Sequence, residues 1–207
     1  MLSQAEKGGV QNTIQNCVTV LQNDPILADS IRLNLLSERI DIVKPMGWQR
    51  SGPTLTDTDM MYILRRMKKY GLYSEKRVSA AIRIVANENH YHPIRDYLNE
   101  LKWDGTARIS RALHRFLGAA EDELTTEALK IFLLGAIKRV FHPGCKFEMM
   151  LCLVGGQGAG KSSFFRLLAI KDEWFSDDLR RLDDDNVFRK LQGHWIMEMS
   201  ETVSYTH

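Results

Sequence analysis

Apolar residues along this chain recur mostly at helical intervals, and glycine, proline and short polar residues break the intervals. Val10, Ile14, Cys17, Val18 and Leu21 share one helical face that Asp24-Pro25 ends, which predicts an amphipathic first helix. The stretch IRLNLLSERIDIV alternates in part and breaks at Ser37-Glu38, predicting a β-hairpin near 31–43. Pro45, Gly47 and Pro53 keep the following segment irregular. Thr56, with Asp59 three residues on, resembles a capping box and opens a helix carrying Met60, Leu64 and Met67 on one side, until Gly71. Ser74 is expected to cap a further helix, in which Val78, Ala81, Ile82 and Val85 follow the i, i+3, i+4, i+7 rule until His92-Pro93 forbids continuation. Together these make a candidate helix-turn-helix over 56–89.

Further along, PIRDYLNEL predicts a short helix, Trp103-Asp104-Gly105 a turn, and residues 109–117 another helix. Thr125 or Thr126 is expected to cap the apolar stretch ALKIFLLGAIKRV at 128–140, closed by His142-Pro143-Gly144. That stretch is shorter than the ~20 residues a membrane span needs and carries Lys130, Lys138 and Arg139, so it reads as a buried core helix. The apolar run FEMMLCLV at 147–154 reads as a buried strand. Trp174-Phe175-Ser176 and Trp195-Ile196-Met197 read as two more, the last ending on Glu198 with Glu201 three residues on. The pattern therefore predicts an α/β protein: a mainly α-helical N-terminal region over 1–145, then a nucleotide-binding segment over 146–207.

Composition changes this picture little. With 44% hydrophobic and 26% charged residues among 207, the chain has the make-up of an ordinary globular protein. No apolar h-region or small-residue cleavage site opens the sequence, so a cytoplasmic protein without a membrane partner is expected. Cys17, Cys145 and Cys152 are odd in number and scattered, as core thiols would be. Charge is less even: residues 1–146 carry 21 Lys and Arg against 16 Asp and Glu, and residues 147–207 carry 7 against 10. Arg65, Arg66, Lys68, Lys69, Lys76, Arg77 and Arg83 crowd the candidate helix-turn-helix, a surface that could track phosphates or simply be a solvated helix face.

The most informative stretch is GGQGAGKS. Gly155, Gly156, Gln157, Gly158, Ala159, Gly160, Lys161 and Ser162 satisfy G-x-x-x-x-G-K-[ST], between an apolar run and the helical pattern SSFFRLLAI that Ser163 continues. Glycines let backbone N–H groups turn inward in conformations closed to other residues. Lys161 would place a positive charge on the β- and γ-phosphates, Ser162 would offer its hydroxyl to Mg²⁺, and the helix would aim its positive end at the same anion. A plain glycine-rich turn would explain the glycines but not the Lys-Ser pair. Such a loop needs an acid at the end of a second strand, and both Glu198 and Glu201 are candidates. Our reading gives Glu201 the polarisation of water and Glu198 the metal, making Lys161, Glu198 and Glu201 the catalytic set and Ser162 and Glu198 the metal ligands. Asp183-Asp184-Asp185 reads as dipole-stabilised acids before a helix, and His90 and His92 as a surface turn.

Four segments, NENHYHPIRDYLNELKWDG, HPGCKFEMMLCLVGGQGAGKSSFFRLLA, EWFSDDL and GHWIMEMSE, together resemble the virulence-associated E family of phage and prophage proteins, themselves similar to primase-associated superfamily 3 helicases. The resemblance runs through residues 8–201. It implies a partial P-loop NTPase sheet of helicase or AAA+-like type, ATP and Mg²⁺ as cofactors, and a role in DNA replication. It also implies a homo-oligomeric ring, a primase domain or partner, and single-stranded or forked DNA. Gly155, Gly160, Lys161 and Ser162 match its phosphate loop; Glu198 and Glu201 match its acidic strand. The later sensor strand and catalytic arginines of such ATPases are not in this sequence, so an incomplete ATPase core is expected and hydrolysis by the chain alone stays open. Two other classes compete: a truncated, non-enzymatic module binding DNA or a replication partner, and a small nucleotide or metabolite kinase, which the lack of a basic lid segment disfavours.

Overall fold

The computed structural model describes residues 2–4, 9–179 and 187–199. The chain is α/β, rich in helix, with two small sheets among the described residues, and it divides into two compact units, Met1–Pro93 and Ile94–His207. Asp183 to Asp185 and Glu201 lie outside the described residues.

The first unit is mainly helical. Helix α1 (Ile14–Asn23) begins later than Val10 because the Thr13 side chain accepts from the Asn16 amide and fixes the start there. Strands β1 (Ile31–Asn34) and β2 (Arg39–Ile42) pair antiparallel, Ile31 opposite Ile42 and Asn34 opposite Arg39. Helix α2 (Asp57–Met67) has the full capping box: the Thr56 hydroxyl accepts from the Asp59 amide at 3.2 Å and the Asp59 carboxylate accepts from the Thr56 amide at 2.9 Å. Gly71, at φ 75°, ends a 3-10 turn over Lys68–Tyr70. In helix α3 (Glu75–Glu88) Ser74 holds the cap position without a side-chain cap bond, and Val78, Ala81, Ile82 and Val85 are buried against α1 and the hairpin. His92 is buried, whereas a surface turn was expected of it.

Two carboxylates tie this unit together from inside. Asp24 closes α1 and accepts from Arg66, from the Tyr70 hydroxyl at 2.7 Å and from the amides of Ile26 and Leu27. Asp59 accepts, besides its capping bonds, from Trp48 Nε1 and Arg50 Nε, both at 2.8 Å. Arg77 donates to the Asn12 carbonyl. Of the seven basic residues, Arg66 thus serves the interior of the unit, while Arg65, Lys68, Lys69, Lys76, Arg77 and Arg83 are exposed, Arg77 being held at the surface by its bond to the Asn12 carbonyl.

The second unit carries helices α4 (Pro93–Glu100), α5 (Ile109–Leu117), α6 (Glu123–Phe141), α7 (Lys161–Leu168) and α8 (Val187–Leu191). Its strands β3 (Phe175–Ser176) and β4 (Ile196–Met197) pair in parallel, Phe175 opposite Ile196. The cap of α6 is Asp122, whose Oδ1 accepts from the Thr125 amide at 2.8 Å, so neither threonine caps it. Nor is α6 a buried core helix. Leu129, Gly135 and Val140 are buried, but Leu134 is 57% exposed, because the neighbours of α6 cover only one side. Among the described residues no helix is long and apolar enough to cross a membrane.

The largest departure from expectation is at 147–154. Among the described residues it forms no strand and no P-loop sheet is present; Met149 and Met150 are exposed and Val154 is 99% exposed. A parallel strand exists only through hydrogen bonds to flanking strands, and residues 150–154 line a cavity of about 280 Å³ together with Met197 of β4, which pairs with β3. What fixes the start of the segment is instead α6: Arg139 donates to the Phe147 carbonyl at 2.9 Å, and the Phe147 ring lies over Gly135. Phe132 of α6 meets Phe165 of α7 at 5.7 Å between ring centroids, and Tyr97 of α4 meets Trp174 at 5.7 Å, so these helices bury their apolar sides with the loop segment.

Candidate functional site

Helix α7 grows directly out of the glycine loop. Gly158 and Gly160 have φ of 80° and 81°, in the left-handed region that glycine enters freely, and Gly160 holds the position before the first helical residue. Its carbonyl accepts from the Phe164 amide at 2.9 Å, the first bond of the helix. The amides of Lys161, Ser162 and Ser163 have no backbone acceptor among the described residues, as the geometry of a helix start requires. Three donors and the positive end of the helix are therefore open to an anion.

Lys161 folds back over the loop and donates from Nζ to the carbonyls of Gly155 and Gly156, at 2.8 Å each. The ammonium is thus stationed on the loop by bonds that a more strongly accepting oxygen can replace. Ser162 donates from Oγ to Glu198 Oε1 at 2.7 Å, across 36 residues of sequence. Glu198 arrives there because β4 ends beside β3: its amide donates to the Ser176 carbonyl at 2.8 Å, while the Trp195 amide donates to the Trp174 carbonyl at 2.8 Å. The other carboxylate oxygen, Glu198 Oε2, is buried and without a hydrogen-bond partner among the described residues. A buried anionic oxygen left unpaired is costly, and a hard cation between a serine hydroxyl and a carboxylate would satisfy it. Ser162 and Glu198 thus fit Mg²⁺, with the rest of its oxygen shell left to phosphate and water; among the described residues no group of three His, Cys, Asp or Glu is positioned to hold a metal without such help.

Aromatic packing positions this pair. Trp174 and Trp195 meet edge-to-face at 6.3 Å, and Trp195 Nε1 donates to the Ala136 carbonyl at 3.2 Å, hanging the β3–β4 pair on α6. Trp174 is a core residue and Trp195 is half-buried against it. Arg166, one turn along α7, stands over the Phe175 ring at 5.0 Å and reaches Asp177 at 3.5 Å, fixing the helix to β3.

Of the sequence-derived site residues, Lys161, Ser162 and Glu198 are brought together around the loop, and Gly155 to Ser163 form the loop and the helix start. Glu201 lies outside the described residues. Two contributors went unnoticed in the sequence: Arg166, and the apolar side of α5, whose residues Ile109, Ala112 and Phe116 face the Gly160–Ser163 junction. The spacing of 109, 112 and 116 was a signal, since it marks an apolar helix face beside Arg108, Arg111 and Arg115, but it does not say what the face looks upon.

The family model for the Virulence-associated protein E-like domain matches residues 98–207, just over half of the chain and the whole of the loop and acidic strand. No curated protein matches it.

Proposed function

The chain belongs to the Virulence-associated protein E-like domain family, and from that premise we propose that it is a helicase-type P-loop ATPase component of a phage or mobile-element DNA replication protein, binding ATP with Mg²⁺ at residues 155–163. One observation carries the reading: Ser162 and Glu198, distant in sequence, meet at the mouth of a glycine loop, and the carboxylate keeps one buried oxygen without a partner among the described residues. A structural turn has no use for that arrangement.

In this reading the triphosphate replaces the loop's own carbonyls as the acceptor of the Lys161 ammonium, exchanging hydrogen bonds to neutral oxygens for stronger ones to anionic oxygens. The open amides of Lys161, Ser162 and Ser163 donate to the same phosphates, with the α7 dipole adding to their pull. Mg²⁺, held by Ser162 and Glu198, would neutralise charge on the β- and γ-phosphates. Glu201 is assigned the orientation of the attacking water. Neighbouring subunits of a ring would supply arginines, so the isolated chain should bind nucleotide and turn it over slowly.

Calorimetry tests the core of this. Lys161→Ala should abolish ATP binding, and unchanged affinity would remove the phosphate-loop assignment. Glu198→Gln should leave metal-free ATP binding intact while removing most of the gain that Mg²⁺ brings; an undiminished gain would dismiss Glu198 as a ligand.

A second reading is favoured by residues 147–154 standing outside any sheet formed by the described residues: the chain acts as a non-enzymatic module that binds DNA or a replication partner. Steady-state ATPase assays with and without single-stranded DNA separate the two. Slow turnover that DNA accelerates supports the enzyme; none in either condition supports the module.

A further inference from the structure

Beside the glycine loop, α5, α6 and α7 enclose a groove of about 450 Å³, a volume typical of small-molecule sites, which run ~300–1,000 Å³. We propose that this groove holds the nucleotide's base and accepts adenine and guanine alike. The inference rests on the reading of residues 155–163 as a triphosphate cradle and extends it to the part of the ligand that the loop does not touch.

The groove and the loop are continuous, because Gly160 and Ser163, at the start of α7, line both. A ligand with phosphates on the open amides of α7 would have its other end beside this wall. The wall is almost wholly carbon, formed by Ile109 and Phe116 of α5, Leu129 and Leu133 of α6, and Leu167 of α7. Phe116 is 65% exposed and Leu167 76% exposed, which is apolar surface that a flat aromatic ligand would cover by stacking. Among the described residues no carboxylate lines the groove to repel a nucleotide.

The same wall explains why one purine would not be chosen over the other. Adenine and guanine differ in the donors and acceptors of their edges, so choosing between them takes polar groups aimed at those edges. Among the described residues the side chains here offer two polar groups, Ser163 and Arg108. Arg108 is already engaged, donating to both carboxylate oxygens of Asp104 at 2.9 and 2.5 Å. Burial of the base supplies affinity, and its edge goes largely unread.

The test uses the full chain with Mg²⁺ and three probes, ATP, GTP and inorganic triphosphate, in the wild type and in a Phe116→Ala, Leu167→Ala double variant whose altered side chains are both exposed. ATP and GTP are expected to bind within about fivefold of each other and inorganic triphosphate about tenfold or more weaker, stacking on one base being worth that much. The double variant should lose about tenfold in affinity for ATP and GTP and keep its affinity for triphosphate. Equal binding of ATP and triphosphate, unmoved by the variant, would overturn the base site and leave the phosphate loop standing. Preference for one purine by about a hundredfold or more would overturn base tolerance. Failure of the wild type to bind either ATP or triphosphate would overturn the loop reading, and this inference with it.

Discussion

Asp59 shows at the scale of one residue how the first unit is held. Burial alone would raise its carboxyl, but hydrogen bonds from Arg50, Trp48 and Thr56 outweigh that and hold it well below the ordinary value near 3.8. Asp24 is shifted the same way: burial raises it, and Arg66, Tyr70 and two amides pull it down further. The folded state therefore binds these protons more weakly than the unfolded one. Their stabilisation is fully present above the unfolded carboxyl value and is lost as pH falls through the folded values. Circular dichroism should accordingly show the first unit's helix content steady down to about pH 4 and falling below it. Asp59→Asn, which leaves the Arg50 guanidinium without its anion, should cost about 2–3 kcal/mol at neutral pH, read from the urea midpoint, and should flatten the acid limb. An acid profile identical to wild type would show that Asp59 is not part of the linkage. None of this was legible in the sequence beyond the capping box, since Thr56 and Asp59 are three residues apart whereas Trp48 and Arg50 reach them from a segment with no periodicity at all.

Gly135 decides at the scale of elements how α6 meets the segment before the loop. A Cβ there would stand 2.2 Å from the Phe147 ring, closer than any contact can be, so Gly135→Ala must push the ring away. The ring is the free end of a side chain and can swing outward. The helix meanwhile gains about 1 kcal/mol from alanine, which roughly offsets the lost contact. The expected result is a melting temperature near that of wild type, with faster amide exchange at residues 147–154, where the anchor is gone. Unchanged exchange would mean that the Arg139 bond to the Phe147 carbonyl alone holds the segment. Helices were the legible elements, because side chains at i, i+3 and i+4 meet without help from elsewhere, as Val78, Ala81, Ile82 and Val85 do in α3. The apolar run at 147–154 was misread as a strand for the complementary reason. Its pattern records a wish to be buried, but a strand also needs a partner, and pairing is a property of distant sequence. The cap of α6 was missed by three residues: Thr125 takes part, but as the donor to Asp122.

Across the whole molecule, the proposed function would give the exposed cations of the first unit and the glycine loop of the second different ligands, and salt can tell them apart. Arg65, Lys68, Lys69, Lys76 and Arg83 are exposed, and the three lysines flank the turn between α2 and α3. Binding to single-stranded DNA through such groups releases about 0.7 cation per phosphate contacted. Five contacts would then give a slope of log K on log salt of about −3.5. Replacing Lys68, Lys69 and Lys76 together by Ala should flatten that slope by about 2 units without changing ATP affinity, since none of the three belongs to the unit that carries the loop. A slope already flat in the wild type would remove these cations as a DNA surface and leave the nucleotide site untouched. A slope that the triple variant does not alter would instead move the DNA contact elsewhere, with Arg111 and Arg115 on the exposed side of α5 the next groups to replace.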